Sequence, residues 1–425
     1  MEEPIFIESA ASARPRGIVA QTFTSLTHRN YRYLWLGTVF MSAGQWIQQV
    51  TLGWLVYDLT SSSVLLGVLN GLRALPFLIA SPIAGVFADR MDRRRLILAC
   101  ECFLAILTVL MGVLVASGTL AVWHLFTFTV LTGVAWAFVD PIRQSLVPVL
   151  VPKRDLMNAV ALNSSAFNMT KIVGPSLGGL LIVAFGAAGN FFVQGLAYAL
   201  VLAIVYRMAV PATPPEARRT TPLANLKEGL SYVWSTPIVF ALMTAALVPR
   251  VFAMPFQTLM PVFQKDVLRV GPEGLGMLLA APGLGALLAG LALATLSSRI
   301  KRQGVFMLVS LVVLGILMIL FAWTTSFPLS LLTLMAQGVF QIFYMATTHT
   351  MIQLIVPDHL RGRVMSIYAL DRGLMPVGAM FAGVCAHYLG APMAVSSMGA
   401  IVIVLALLIA WRAPVVRGLG VAPQS

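Results

Sequence analysis

Twelve long apolar runs follow one another along the chain, each separated from the next by a short polar turn. A helix needs about 20 apolar residues to cross the hydrocarbon layer of a bilayer. The runs cover 32–57, 64–87, 95–117, 121–141, 157–184, 189–208, 237–262, 273–297, 304–323, 328–350, 363–388 and 391–411, and are numbered span 1 to span 12 below. The turns between them are rich in Gly, Pro, Ser and Thr, as at 117–120 and 324–328. This pattern predicts an all-α, polytopic membrane protein of twelve transmembrane helices.

Composition agrees. The 425 residues are 59% hydrophobic and only 10% charged, against roughly a quarter charged in soluble domains. The net charge of +13 alone would suggest nucleic acid. The basic residues, however, come in short clusters between apolar runs, whereas a nucleic-acid binder needs a continuous basic face. Placing both termini in the cytoplasm sends 21 of the 28 Lys and Arg to inner segments, and only Lys265 and Arg269 to outer ones. The other five, Arg73, Arg143, Lys171, Arg250 and Arg372, fall in spans. That asymmetry fixes the expected orientation. The first residues lack the apolar core of a cleavable signal peptide. Cys100, Cys102 and Cys385 all lie in apolar runs, without metal or thioredoxin-type spacing.

The second half of the chain repeats the first. Gly67, Arg90 and Arg93 match Gly276, Arg299 and Arg302 at one common offset. Gly133, Val151 and Pro152 match Gly338, Val356 and Pro357 at another. The longest polar stretch lies midway. The expected organisation is a cytoplasmic segment 1–31, a six-helix bundle 32–208, a cytoplasmic linker 209–236, a second six-helix bundle 237–411 and a cytoplasmic tail 412–425. Two such halves, related by an axis along the membrane normal, are a transporter plan with the substrate between them near the midplane.

Three motifs resemble the major facilitator superfamily. The loop after span 2 carries Gly85, Asp89, Arg90, Asp92, Arg93 and Arg94. It resembles the superfamily's G-x-x-x-D-R-x-G-R-R signature, with Asp92 in place of the last glycine. This D-R-x-D-R-R form, with the runs 54–67 and 140–152, is similar to the enterobactin-exporter branch of bacterial drug and siderophore exporters. Span 5 contains Gly174, Pro175, Gly178 and Gly179, which resemble the end of the superfamily's antiporter motif, a mark of exporters. Ala161 and Thr170 replace the upstream glycines of that motif. The resemblance implies a gating loop. Asp89 would face the N-terminal end of span 11, and Arg93 would pair with Asp140 at the inner end of span 4.

Charge within the spans supplies the chemistry. An ionisable residue at bilayer depth is costly and should face protein or water. Glu101 and Asp371 are the deepest acids, hence the candidate carriers of a coupling proton. The competing reading for each is a permanent ion pair with a nearby Arg or Lys. Gln45, Gln49, Arg73, Lys171, Arg250 and Arg372 are the candidate cavity residues, and their cations favour an anionic or oxygen-rich cargo. The chain has no phosphate-binding loop, no H-E-x-x-H and no G-x-S-x-G, so no enzyme, cofactor or metal centre is expected. The resulting expectation is a monomeric, proton-coupled exporter of a small molecule in the bacterial inner membrane, working by alternating access. An importer of the same fold is the alternative, and a membrane receptor or intramembrane enzyme a more distant one.

Overall fold

The computed structural model describes residues 22–73, 76, 92–209, 222–296, 300–370 and 374–419. Among these, eight helical segments are long and apolar enough to cross a bilayer. They include Arg93–Ala116 (span 3), Val122–Leu150 (span 4), Pro272–Leu296 (span 8), Gln303–Trp323 (span 9), Phe327–Ile355 (span 10) and Ala391–Arg412 (span 12). A seventh, Lys153–Tyr206, holds two spans. Its chain turns back at Gly186, whose φ of 68° only glycine adopts without strain. Spans 5 and 6 are thus joined with almost no loop. Span 7 occupies Pro237–Val267. Span 1 is Arg29–Thr60, and shorter apolar helices Ser63–Arg73 and Met375–Leu389 belong to spans 2 and 11.

Several helices outrun the apolar stretches that announced them. Span 4 continues to Leu150 and span 10 to Ile355. Ile142, Leu146 and Val147 of the first extension and Met351 and Ile352 of the second are buried against protein. The linker contains a helix, Pro222–Ser235, and the C-terminal segment a short one, Pro414–Gly418, whose Val416 is fully buried. One face of the bundle carries the first described residues, the ends of span 6 and the C-terminal helix; we call it the termini face. There Ala209 N–H donates to Asn30 at 3.2 Å, and Gly304 N–H donates to the Leu419 carbonyl at 3.1 Å.

Lipid is as apolar as leucine, so close packing and hydrogen bonds hold these helices together. Large side chains such as Leu110, Val183 and Leu291 stay exposed, as lipid-facing positions should. The internal repeat reappears as packing. Gly133 of span 4 lies against Pro76 of span 2, and Gly338 of span 10 against Pro282 of span 8. Gly195 of span 6 meets Val109 of span 3, and Gly399 of span 12 meets Met318 of span 9.

Two seams join the halves. Span 5 meets span 8, where Gly179 touches Pro272 and Glu273 and Gly276 touches Pro175. Span 2 meets span 11, where Gly67 touches Ala379 and Gly383 touches Ser63. Ser63 Oγ donates to the Gly383 carbonyl at 2.9 Å, completing that seam.

Candidate functional site

A cavity of about 50 Å³ lies between the halves. Gln49, Gly53 and Asn70 line it from one half, and Met254, Gln257 and Met375 from the other. Arg73 Nη1 donates to Gln49 Oε1 at 2.9 Å, which ties span 2 to span 1 at the cavity wall. Gln45 lies one turn away and is half-buried. Prolines 249, 255 and 261 interrupt span 7, which passes through π-type turns at Pro249–Ala253 and Phe263–Val267. Such turns collect at functional positions in helices. Arg250 sits in the first one, half-buried, and donates to Met254 Sδ at 3.3 Å. Lys171 of span 5 is within electrostatic reach of Arg250 across the seam. Cations from spans 2, 5 and 7 therefore converge near the meeting of the two halves. Arg372 and Asp371 lie outside the described residues.

Glu101 is fully buried in span 3. Arg143 of span 4, 4% exposed, stands 3.8 Å from its Oε1. Arg143 Nη2 is held in turn by span 1, donating to the Leu34 carbonyl at 2.8 Å and to Thr38 Oγ1 at 2.9 Å. Among the described residues, neither carboxylate oxygen of Glu101 finds a hydrogen-bond donor. The pair is held by charge alone across a gap slightly too long for a direct bond. Asp140, one turn before Arg143, also lies within its reach. One guanidinium thus serves two carboxylates. The sequence reading missed Arg143. Its only signal was its place among the five span cations, three residues after an acid.

The expected Arg93–Asp140 ion pair is absent from this structure. Arg143 is the cation facing Asp140, because its position one turn along the same helix brings it inward. The loop residues Gly85, Asp89 and Arg90 lie outside the described residues. Asp92 has a local role: its carboxylate caps span 3, accepting from Arg95 N–H at 3.0 Å. Arg94 donates to the Tyr206 carbonyl and lies over the Tyr206 ring, fastening span 3 to the end of span 6. Arg363, at the start of span 11, pairs with Glu228 of the linker helix.

A buried amide network runs up the first half. Gln194 Nε2 donates to Gln48 Oε1 at 2.7 Å and to the Gly44 carbonyl at 3.0 Å. Gln48 Nε2 donates to Thr132 Oγ1 at 3.2 Å. Asn190 Nδ2 donates to Thr51 Oγ1 at 2.8 Å and to the Gly178 carbonyl at 2.9 Å. Spans 1, 4, 5 and 6 are thereby linked by polar bonds inside an apolar medium. Asn190 and Gln194 were not recognisable as partners until the fold brought spans 1 and 6 together.

The Gly174-Pro175-Gly178-Gly179 string works by proximity. Gly174 accepts the Trp46 side chain and Gly178 the Ile47 backbone, both of span 1. Gly179 faces the opposite way and accepts the backbone of span 8. Span 5 is therefore pressed between its own half and the other.

The face opposite the termini is fastened directly. Lys265 Nζ lies 3.1 Å from Asp58 Oδ1 and 5.8 Å from the centre of the Tyr57 ring. The Tyr57 hydroxyl donates to Asp266 Oδ2. Tyr57 and Asp58 end span 1; Lys265 and Asp266 end span 7. The two bonds cross-link the halves at adjacent positions.

The chain matches the transmembrane secretion effector family over residues 20–422. It is 26% identical over 372 residues to the staphyloferrin A transporter of Staphylococcus aureus, covering 87% of this chain and 92% of that one. It is 30% identical over 359 residues to the multidrug efflux pump Tap of Mycolicibacterium fortuitum, covering 82% and 87%. Its fold is similar to that of a bacterial homologue of the human lysosomal transporter Spinster, solved in an inward-facing, unoccupied conformation. The TM-score is 0.71 at 18% identity, over 93% of this chain and 99% of that one.

Proposed function

The chain belongs to the transmembrane secretion effector family of the major facilitator superfamily, and on that premise we propose a proton-coupled exporter of a small molecule. It works as a monomer in the bacterial cytoplasmic membrane, with the termini face and the 209–236 linker in the cytoplasm. The clasped face is then outside. The observation that carries this reading is the pairing of an inter-half cavity with an outer clasp, Asp58–Lys265 and Tyr57–Asp266, that closes the path to one side. An alternating-access carrier must pass through such a state.

The relatives are named for siderophore transport and for multidrug efflux, and these bracket the cargo class. Arg73, Lys171 and Arg250 around the seam favour anionic or oxygen-rich members of that class. Glu101 carries the coupling proton. Taking up a proton neutralises the carboxylate facing Arg143 and leaves Asp140 as the remaining charge partner of that guanidinium. Losing the proton restores the Glu101–Arg143 attraction. Spans 3 and 4, which bear these groups, thus exchange one charge balance for another in each cycle. Asp371 is the second candidate carrier. At the cytoplasmic face the loop 85–94 gates the inner opening; the resemblance to the superfamily implies that Asp89 faces the N-terminal end of span 11, where the helix dipole favours a carboxylate.

Inverted membrane vesicles containing a fluorescent pH reporter test the proposal. After energisation, catecholate and carboxylate siderophores and cationic drugs are added in turn. Dissipation of the proton gradient by one class, only in vesicles carrying this chain, is the expected result. Cargo movement with no proton flux would remove Glu101 and Asp371 from the mechanism, and uptake in the opposite direction would replace export with import.

A further inference from the structure

At the termini face an apolar groove of about 360 Å³ opens where span 7 begins and span 12 ends. Phe240 and Ala241 of span 7, Leu408 and Ile409 of span 12 and Val415 of the C-terminal helix form its walls. Arg412 stands at its rim. Trp234, 68% exposed, packs on Phe240 at 5.0 Å between ring centres, and Trp411, 69% exposed, lies beneath the Arg412 guanidinium at 5.0 Å. Exposed tryptophans of this kind sit at the level of lipid headgroups. The groove therefore spans the boundary between hydrocarbon and headgroup.

The charges on the segments that flank the groove at the start of span 9 and after span 12 have one sign. The Gly304–Leu419 bond fixes the C-terminal helix against the start of span 9, where Lys301 and Arg302 are exposed; Arg417 is exposed on that helix itself. Segments 296–303 and 412–425 contain no Asp or Glu. Lys301, Arg302, Arg412 and Arg417 form no ion pair with any described residue. The corresponding seam in the first half, between spans 1 and 6, is drawn together by the Asn30–Ala209 bond.

We propose that this groove is a binding site for one anionic phospholipid, its acyl chain against Phe240, Ala241 and Leu408 and its phosphate on Arg412. The site is separate from the cargo path: it lies at the lipid-facing end of spans 7 and 12, and the inter-half cavity has none of its residues. Apolar walls supply affinity for any chain, and the surrounding cations supply the preference for a negative headgroup.

The full chain, stripped of lipid in detergent, is titrated with phosphatidylglycerol and separately with phosphatidylcholine, and retained lipid is counted by native mass spectrometry. One phosphatidylglycerol should bind in preference to phosphatidylcholine. Arg412→Gln should weaken that binding about fivefold, the worth of one cation near an anionic headgroup, and adding Arg417→Gln should weaken it again. Thr244→Trp, which puts an indole among the residues that line the groove, should abolish binding of both lipids while the thermal unfolding profile stays unchanged. Equal retention of the two lipids, full phosphatidylglycerol binding by Arg412→Gln, or displacement of the lipid by inorganic phosphate would each overturn the proposal. None of these readouts depends on transport, so they fail or succeed independently of the export reading.

Discussion

Lys265 at the end of span 7 reaches across the pseudo-symmetry axis to Asp58 at the end of span 1, at 3.1 Å. The neighbouring residues of each helix, Tyr57 and Asp266, bond in the reverse sense, with the donor now on span 1. Each half therefore gives one donor and one acceptor to the same clasp. Lys265 is also one of only two basic residues assigned to the outer side, and the clasp gives it a purpose that charge asymmetry does not.

Weakening the clasp should favour opening of that face. The Asp58–Lys265 pair is partly exposed, and such pairs contribute about 0.2–1 kcal/mol. Asp58→Asn should therefore raise the open population no more than about fivefold. Tyr57→Phe removes a hydrogen bond to a charged group, worth about 1.5–3 kcal/mol, and should have the larger effect. Distances between spin labels on spans 1 and 7 measure both. The exchanged pair Asp58→Lys with Lys265→Asp should return the distribution to that of the parent.

Glu101 and Arg143 separate structure from function. Arg143→Met leaves Glu101 and Asp140 without their shared partner and should destabilise the fold by about 3–5 kcal/mol. Adding Glu101→Gln removes one of the two orphaned charges and should recover part of that loss, with Asp140 still lacking its counter-charge. The double variant should still fail to move protons in vesicles. A double variant with full proton-coupled efflux would show that the pair is a strut and that the carrier lies elsewhere.

Gly179 has no room for a side chain, because a Cβ there would run into the Pro272 carbonyl of span 8. Gly179→Val should insert and fold, yet hold spans 5 and 8 apart at the far face. Thiol labelling of a cysteine placed at the seam should rise, and efflux should fall at least tenfold, since roughly 1.4 kcal/mol against the closed state suffices. Gly118, with nothing within 4 Å of a Cβ but a φ of 70°, is the contrasting position: Gly118→Ala should cost stability through the backbone alone, with labelling unchanged.

Asn190→Leu should lower thermal stability by about 1–3 kcal/mol, the cost of leaving buried polar partners unmatched. The groups left behind are Thr51 Oγ1 and the Gly178 carbonyl. Asn190→Asp should be worse, since a carboxylate cannot donate to either acceptor.

The fold was legible in the sequence because the bilayer imposes a simple rule on length and composition. Every predicted span has helical residues within its limits, and even the span 5–6 reversal at 186 falls between the two predicted runs, 157–184 and 189–208. Helix ends were less legible. Spans 4 and 10 run past their predicted ends to Leu150 and Ile355, where Leu146, Val147, Met351 and Ile352 are buried in protein. For the site, sequence could name the charged residues within spans but not their partners. Glu101 was visible as an acid at depth. That its counter-charge would be Arg143, and not Arg93, depended on how spans 1, 3 and 4 face one another. The Gln48–Gln194–Asn190 network was hidden for the same reason: amides are common, and only their convergence is informative.

The reversal at Gly186 also bears on how the chain is made. Spans 5 and 6 share one continuous run of hydrogen-bonded backbone, broken at a single residue, and both return to the termini face. With no hydrophilic loop to wait in water while its partner crosses, neither arm has a stable resting place alone. The two must enter the bilayer together as a preformed hairpin, so biogenesis at this point proceeds by pairs of helices and not by single ones.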